Sequence, residues 1–348
     1  MTSLMVKIFL GLIMGLGFGY ALQRGRYCVN TAFRDITLIK DSTLLRAWAL
    51  GLVVQMVGVN LLATFGVLTL DRAPFFWMAN IVGGFLFGIG MVLAGGCASG
   101  TCYRTGEGML GSMIAFLGFG IATVATDVGF LSPIQRYLRE TTLQVRGETP
   151  DLANLFGVNP WIIIVVVVIP VTLWLVRASR SQYRSSGWQW QTTGLIIGAI
   201  SVIAWLSSTA TGRNYGLSVT GPIRSLFRYL FEGDVAFLDW GTFMLIGLLI
   251  GAGIGAYLYG ESKLRLPKPS RILQSLGGGL LMGFGAQVAG GCTIGHSFTG
   301  LSVLAVSSLM TTIFIVLGAW TMVYFLFMRP AEVQARVPER KSVLELEA

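Results

Sequence analysis

The sequence predicts an all-α integral membrane protein of about nine transmembrane helices, an inverted repeat with short re-entrant helices and loops. Three observations predict it. The chain is 54% hydrophobic and only 12% charged, with a mean hydropathy of +0.71, whereas a soluble domain carries about 25% charged residues. Its apolar residues gather into runs close to the roughly 20 residues that a spanning helix needs. One glycine-spaced phrase also occurs twice, as GGFLFGIGMVLAGGC at 83–97 and GGLLMGFGAQVAGGC at 278–292.

The runs lie at about 4–22, 45–68, 75–95, 109–131, 161–177, 190–210, 241–260, 272–291 and 302–327. No small-x-small cleavage site follows the first, and Arg24-Gly25-Arg26-Tyr27-Cys28 is not a lipoprotein cleavage pattern. The first run is therefore expected as a retained span rather than a signal peptide. The glycine-rich run at 241–260 has small residues at helical spacing, a packing pattern. The stretch 132–160 is a polar, proline-containing linker, and the charged tail from Arg329 lies beyond the last span. Residues 1–150 form a first half with spans 1–4, 151–189 a connector with span 5, 190–328 a second half with spans 6–9, and 329–348 the tail.

Lys and Arg set the orientation. One side gathers Arg24, Arg26, Arg34, Lys40, Arg46, Arg104, Arg177, Arg180, Arg184, Lys263, Arg265, Lys268, Arg271, Arg329, Arg336, Arg340 and Lys341. The other has Arg72, Arg136, Arg139, Arg146, Arg213, Arg224 and Arg228. The N-terminus is therefore expected outside and the C-terminus in the cytoplasm. Spans 1–4 match spans 6–9 across the connector, which gives the halves opposite orientations and encloses a site near the midplane. The loops after spans 1 and 6 also echo each other, Gly25-Arg26-Tyr27-Cys28 against Gly212-Arg213-Asn214-Tyr215. The net charge of +9 sits between apolar runs, as membrane orientation requires, and nucleic acid is not an expected partner.

Gly95-Gly96-Cys97 and Gly290-Gly291-Cys292 fall at the ends of opposed helices. Paired glycines let the chain leave helical geometry, and a helix starting at the break aims its positive end inward. The product is an anion site of backbone amides with a thiol beside it. A lone membrane cysteine is ordinarily a small buried hydrophobe, but two at matching positions after paired glycines point to function. Cys28 follows a basic loop, and its local sequence leaves both readings open. Cys102 has no repeat partner, since position 297 is serine, and reads as structural. His296, the single histidine, stands four residues after Cys292 and is expected to line the path or to cap a helix. No second Cys/His pair completes a zinc set, so no metal is expected. Arg26 and Arg104 are candidate supports of an anion path, although positive-inside placement explains Arg24 and Arg26 equally well.

The segments QRGRYCVNTAFRD at 23–35, GMVLAGGCASG at 90–100, GRNYGL at 212–217 and GGLLMGFGAQVAGGCTIGH at 278–296 resemble the YeeE/YedE family of inner-membrane sulfur-compound transporters. The resemblance runs over nearly the whole chain. It implies uptake of thiosulfate through a bacterial inner membrane and three functional cysteines, Cys28, Cys97 and Cys292. It also implies nine spans with short re-entrant segments and a TusA-like sulfur-carrier protein as cytoplasmic partner. A neutral thiol can donate a weak hydrogen bond to the terminal sulfur of thiosulfate, whereas a thiolate would repel the dianion. The expectation is a relay from Cys292 outside through Cys97 to Cys28, with no cofactor and no enzymatic step. Two alternatives stand beside it. One is a permease for another sulfur or selenium species. The other is a membrane thiol oxidoreductase, for which Cys97-x4-Cys102 has the wrong spacing.

Overall fold

The computed structural model describes residues 2–144, 149–177, 187–262 and 264–330. Arg146, Arg180, Arg184, Lys263 and the tail from 331 onward, with Arg336, Arg340 and Lys341, lie outside the described residues. The chain begins with α1 (Thr2–Arg24), α2 (Val29–Leu38), α3 (Thr43–Thr64), α4 (Trp77–Leu93), α5 (Ala98–Gly106) and α6 (Leu110–Asp127). Next come α7 (Ser132–Leu138), α8 (Leu152–Phe156) and α9 (Pro160–Arg177). The remainder holds α10 (Trp190–Thr209), α11 (Thr220–Glu232), α12 (Trp240–Leu258), α13 (Pro269–Ala289), a π-helical segment Ile294–Gly300 and α14 (Val306–Val323).

Nine stretches among the described residues are long and apolar enough to cross a membrane. The described residues contain isolated bridges but no strand. The protein is an all-α, multi-pass membrane protein. Phe9, Ile13, Leu117, Ile121, Val166, Ile203, Ile250 and Ile313 are exposed, an apolar outer surface that suits lipid and not water. The short helices α2, α5 and α11 do not span. They sit among the long helices, with Val29, Ala98 and Thr220 at their buried starts.

Packing follows the glycines. α1 lies along α12 and α10 along α3, while α4 packs against α13 and α14, and α13 also against α6. At the α4–α13 crossing, a Cβ on Gly83 would come 2.7 Å from the Gly285 carbonyl oxygen, and one on Gly285 would come 2.6 Å from that of Gly83. Gly90 and Gly278 face each other's carbonyls in the same reciprocal way, at 2.9 and 2.8 Å. The repeated phrase therefore has a first use before its Gly-Gly-Cys end is reached: it lets two backbones touch where no side chain fits. Buried hydroxyls of Thr123, Thr126, Ser201, Ser297, Thr311 and Thr312 each donate to the carbonyl four residues earlier, which satisfies them inside an apolar interior. α9 stands apart, with Ile162, Val165, Val166 and Ile169 exposed, and packs along α3 and α8.

Candidate functional site

Several long helices end in the same left-handed turn, and four of these ends lead into the short helices and the π-helical segment. In α4, Gly96 N–H bonds to Met91 O at 3.0 Å and Gly95 N–H to Val92 O at 3.2 Å, with Gly95 left-handed at φ 73°. In α13, Gly291 N–H reaches Ala286 O at 2.8 Å, with Gly290 at φ 89°. α10 closes with Arg213 N–H on Ser208 O at 3.2 Å around Gly212 at φ 82°. α1 closes with Tyr27 N–H on Leu22 O at 3.0 Å, but the left-handed residue there is Arg26, at φ 47°. The left-handed position is thus Arg26 after α1 and Gly212 after α10.

The turns deliver two thiols to one point. Cys28 is the N-cap of α2 and Cys97 the N-cap of α5, both in extended backbone conformation. Their sulfurs lie 3.7 Å apart, fully buried, and all four cysteines are free. Cys97 Sγ accepts the Gly100 N–H at 3.4 Å, the bond a serine or aspartate usually makes at this position, and lies 3.5 Å from Ser99 Oγ. Two helix N-termini therefore converge on a pair of sulfurs, and each brings partial positive charge. The approach needs Gly100: a Cβ there would stand 2.5 Å from Cys28 Sγ and 3.4 Å from Cys97 Sγ. The sequence placed Cys28 and Cys97 at successive depths, whereas the structure puts them side by side.

Cys292 is equally buried but separate from that pair. It follows the α13 turn and precedes the π-helical segment, whose His296 N–H bonds back to Cys292 O at 2.8 Å. The Gly295 Cβ position faces Ser218 Oγ at 3.6 Å and Tyr215 Oη at 3.9 Å, and Tyr215 Oη donates to Gly295 O at 3.0 Å. Ser218 and Tyr215 therefore both face Gly295. Burial pushes the Tyr215 hydroxyl up to about 12, so it stays a donor. Cys102, also fully buried, lies on α5 within electrostatic range of Cys292.

His296 is held at both nitrogens. Nε2 faces Ala289 O at 3.2 Å, and a carbonyl can only accept, so Nε2 carries the proton and Nδ1 accepts from Ser308 Oγ at 3.0 Å. Its ring fills the space beside Gly291, where a Cβ would come within 2.9 Å of Cδ2. His296 thus pins α14 to the end of α13.

Arg104 donates to Gly95 O and, at 3.2 Å, to Tyr103 Oη, so it covers the carbonyl end of α4, and among the described residues it forms no ion pair. Arg26 is committed elsewhere. It bridges Glu107 and Glu261, each at 2.7 Å, and Gln23 ties the same two carboxylates together. Burial works against the charge on Glu261, but the hydrogen bonds from Gln23 and Arg26 and the nearby guanidinium charges hold its carboxyl below the usual range. Arg213 likewise clasps Ser208 Oγ and the carbonyls of Tyr215 and Gly216, each at 3.0 Å. Arg139, read from the sequence only as one of the basic residues of one side, is bonded to the carbonyls of Gln287 and Val288 at the end of α13. No motif marks it, because it reaches α13 from the distant α7 loop.

A cavity of about 490 Å³ is lined by residues of α2, α5, their flanking loops and the loop after α12, among them Arg26, Thr31, Arg34, Asp35, Asp41, Tyr103, Arg104, Glu107, Glu261 and Arg265. Among the described residues no cluster of three His, Cys, Asp or Glu could hold a metal ion.

The profile of a family described as Sulphur transport matches residues 24–321. A protein of Spirochaeta thermophila named thiosulfate transporter TsuA is 40% identical over 334 residues, which covers 92% of this chain and 100% of that protein. An Escherichia coli protein of the same name is 34% identical over 341 residues, 93% of this chain and 96% of its own. A probable transporter YedE of Salmonella typhimurium is 36% identical over 107 residues, 30% of this chain and 25% of its own. The chain belongs to the Sulphur transport family.

Proposed function

We propose that this member of the Sulphur transport family imports thiosulfate across a bacterial inner membrane. The names of the two full-length relatives support the substrate. One observation carries the mechanism: two buried thiols, each at a helix N-terminus, lie 3.7 Å apart, with the Arg104 guanidinium on the carbonyl end of α4 that leads into Cys97. Thiosulfate is a dianion with a polarisable terminal sulfur and three oxygens. Neutral thiols offer its sulfur weak donors, and the helix ends and Arg104 offset its charge. A thiolate 4 Å from one unit of that charge would instead repel it by about 4 kcal/mol at an effective dielectric of 20.

In this reading the halves are inverted repeats, with N-terminus outside and C-terminus in the cytoplasm. Partner exchange in the packing supports it: α1–α12 answers α10–α3, and α4–α14 answers α13–α6. Cys292, supported by Gly290, Gly291 and His296, receives the ion on the outer approach. Cys97 and Cys28, supported by Gly95 and Gly96, then share it as one inner station. The cavity edged by Arg26 and Arg104 is the exit, where a TusA-like carrier protein would take the ion. Binding at each station must be weak enough to release it. Uptake of labelled thiosulfate into proteoliposomes, with Cys97→Ala as the control, is the test. Equal uptake with and without the protein removes this reading, and competition by sulfite or selenite separates it from a broader permease.

A further inference from the structure

Buried polar atoms in folded proteins nearly always have a hydrogen-bond partner, and each exception asks for a reason. Three exceptions flank the thiols in sequence. The Tyr27 hydroxyl is fully buried without a partner, immediately before Cys28. Asn30, 1% exposed, leaves both Oδ1 and Nδ2 unbonded in the first turn of the helix that Cys28 caps. Thr293, fully buried and immediately after Cys292, leaves its hydroxyl unbonded.

Unbonded buried polar atoms also occur elsewhere, as at Gln55, but these three are tied to the transport thiols by chain position. Thr293 shows why its hydroxyl is left over. Ser297, Thr311 and Thr312 nearby donate to the carbonyl four residues back. Thr293 has no such carbonyl: it opens a new helical segment after the turn at Gly290–Cys292, so no helical turn precedes it and its hydroxyl stays available.

We infer that Tyr27, Asn30 and Thr293 bind the oxygens of the transported oxyanion while the thiols meet its sulfur. This deepens the function proposed above and rests on it. The chemistry divides cleanly. A thiol is a weak donor suited to a soft sulfur, whereas sulfonate oxygens are acceptors that want O–H and N–H donors. Tyr27 Oη and Asn30 Nδ2 supply such donors at the Cys28–Cys97 station, and Thr293 Oγ1 supplies one at the Cys292 station. The three groups would let each station distinguish a tetrahedral oxyanion from a plain sulfide or a disulfide.

The test uses Tyr27→Phe, Thr293→Val and Asn30→Leu in the full chain, reconstituted in proteoliposomes with labelled thiosulfate. Each removes polar atoms at nearly constant shape. The expected result is a KM raised by about tenfold, the size of one lost hydrogen bond to a charged group. The thermal midpoint should stay unchanged or rise, because no bond within the protein is lost. A merely structural role predicts the opposite split, a lower midpoint with unchanged KM, and that outcome overturns the inference. Unchanged KM in all three also overturns it and assigns the groups to internal water. If the wild type carries no thiosulfate, thermal shifts with thiosulfate, sulfite and sulfate replace uptake. An oxyanion that stabilises the wild type and not the variants keeps the inference while the substrate reading fails. Stabilisation by none of them ends both.

Discussion

At Cys97 one sulfur serves three neighbours: it caps α5 through the Gly100 N–H, touches Cys28 Sγ and lies beside Ser99 Oγ. In the proposed relay, replacing it removes a donor from the ion as well as a cap from the helix. Cys97→Ala should abolish uptake and cost about 1 kcal/mol of stability, the ordinary value of a lost cap. Cys292 accepts no amide in a corresponding way, so Cys292→Ala should abolish uptake at nearly normal stability. Labelled uptake beside thermal unfolding separates the two, and full activity in either variant would sink the relay. Cys102→Ala tests the remaining thiol. It has no partner glycine pair, so uptake should persist with a loss of about 1 kcal/mol, a common cost of a core substitution. Loss of uptake in a folded Cys102→Ala protein would show that its position near Cys292 serves the ion.

At the scale of elements, the short helices work because glycine lets them come close. Gly100→Ala leaves every thiol in place yet forces its new Cβ against Cys28 Sγ at 2.5 Å. The sulfurs must part, and uptake should fall at least tenfold, since a misplacement of about 1 Å is enough to cost such factors. Gly221→Ala, inside α11 with nothing within 4 Å of the new methyl, should be silent. Equal uptake by both variants would detach the thiol pair from transport. The long helices and the Gly-Gly-Cys turns were legible in the sequence because hydropathy and paired glycine report local geometry. The side-by-side placement of Cys28 and Cys97 was not, because it arises from a contact between two re-entrant helices far apart in the chain. The surroundings of Arg26 were hidden for a related reason: Glu107 and Glu261, which bond to it, are themselves distant in sequence.

For the whole molecule, the thiols sit between two differently built ends. One end has the cavity edged by Arg26, Arg34, Arg104 and Arg265. At the other, Arg139 covers the carbonyl end of α13, and Arg224 and Arg228 share Asp127. If Lys and Arg set the orientation as they do in multi-pass membrane proteins generally, the cavity end faces the cytoplasm and Cys292 is approached from outside. A membrane-impermeant thiol reagent added outside intact cells should then modify Cys292 well before Cys28. All four thiols are buried, so labelling should be slow and should report opening motions rather than the resting structure. Thiosulfate should slow it further by occupying the same station, and Cys292→Ala should abolish the early phase while leaving the later one. Reaction at Cys28 first would place the cavity end outside and reverse the direction in which the ion meets the two stations.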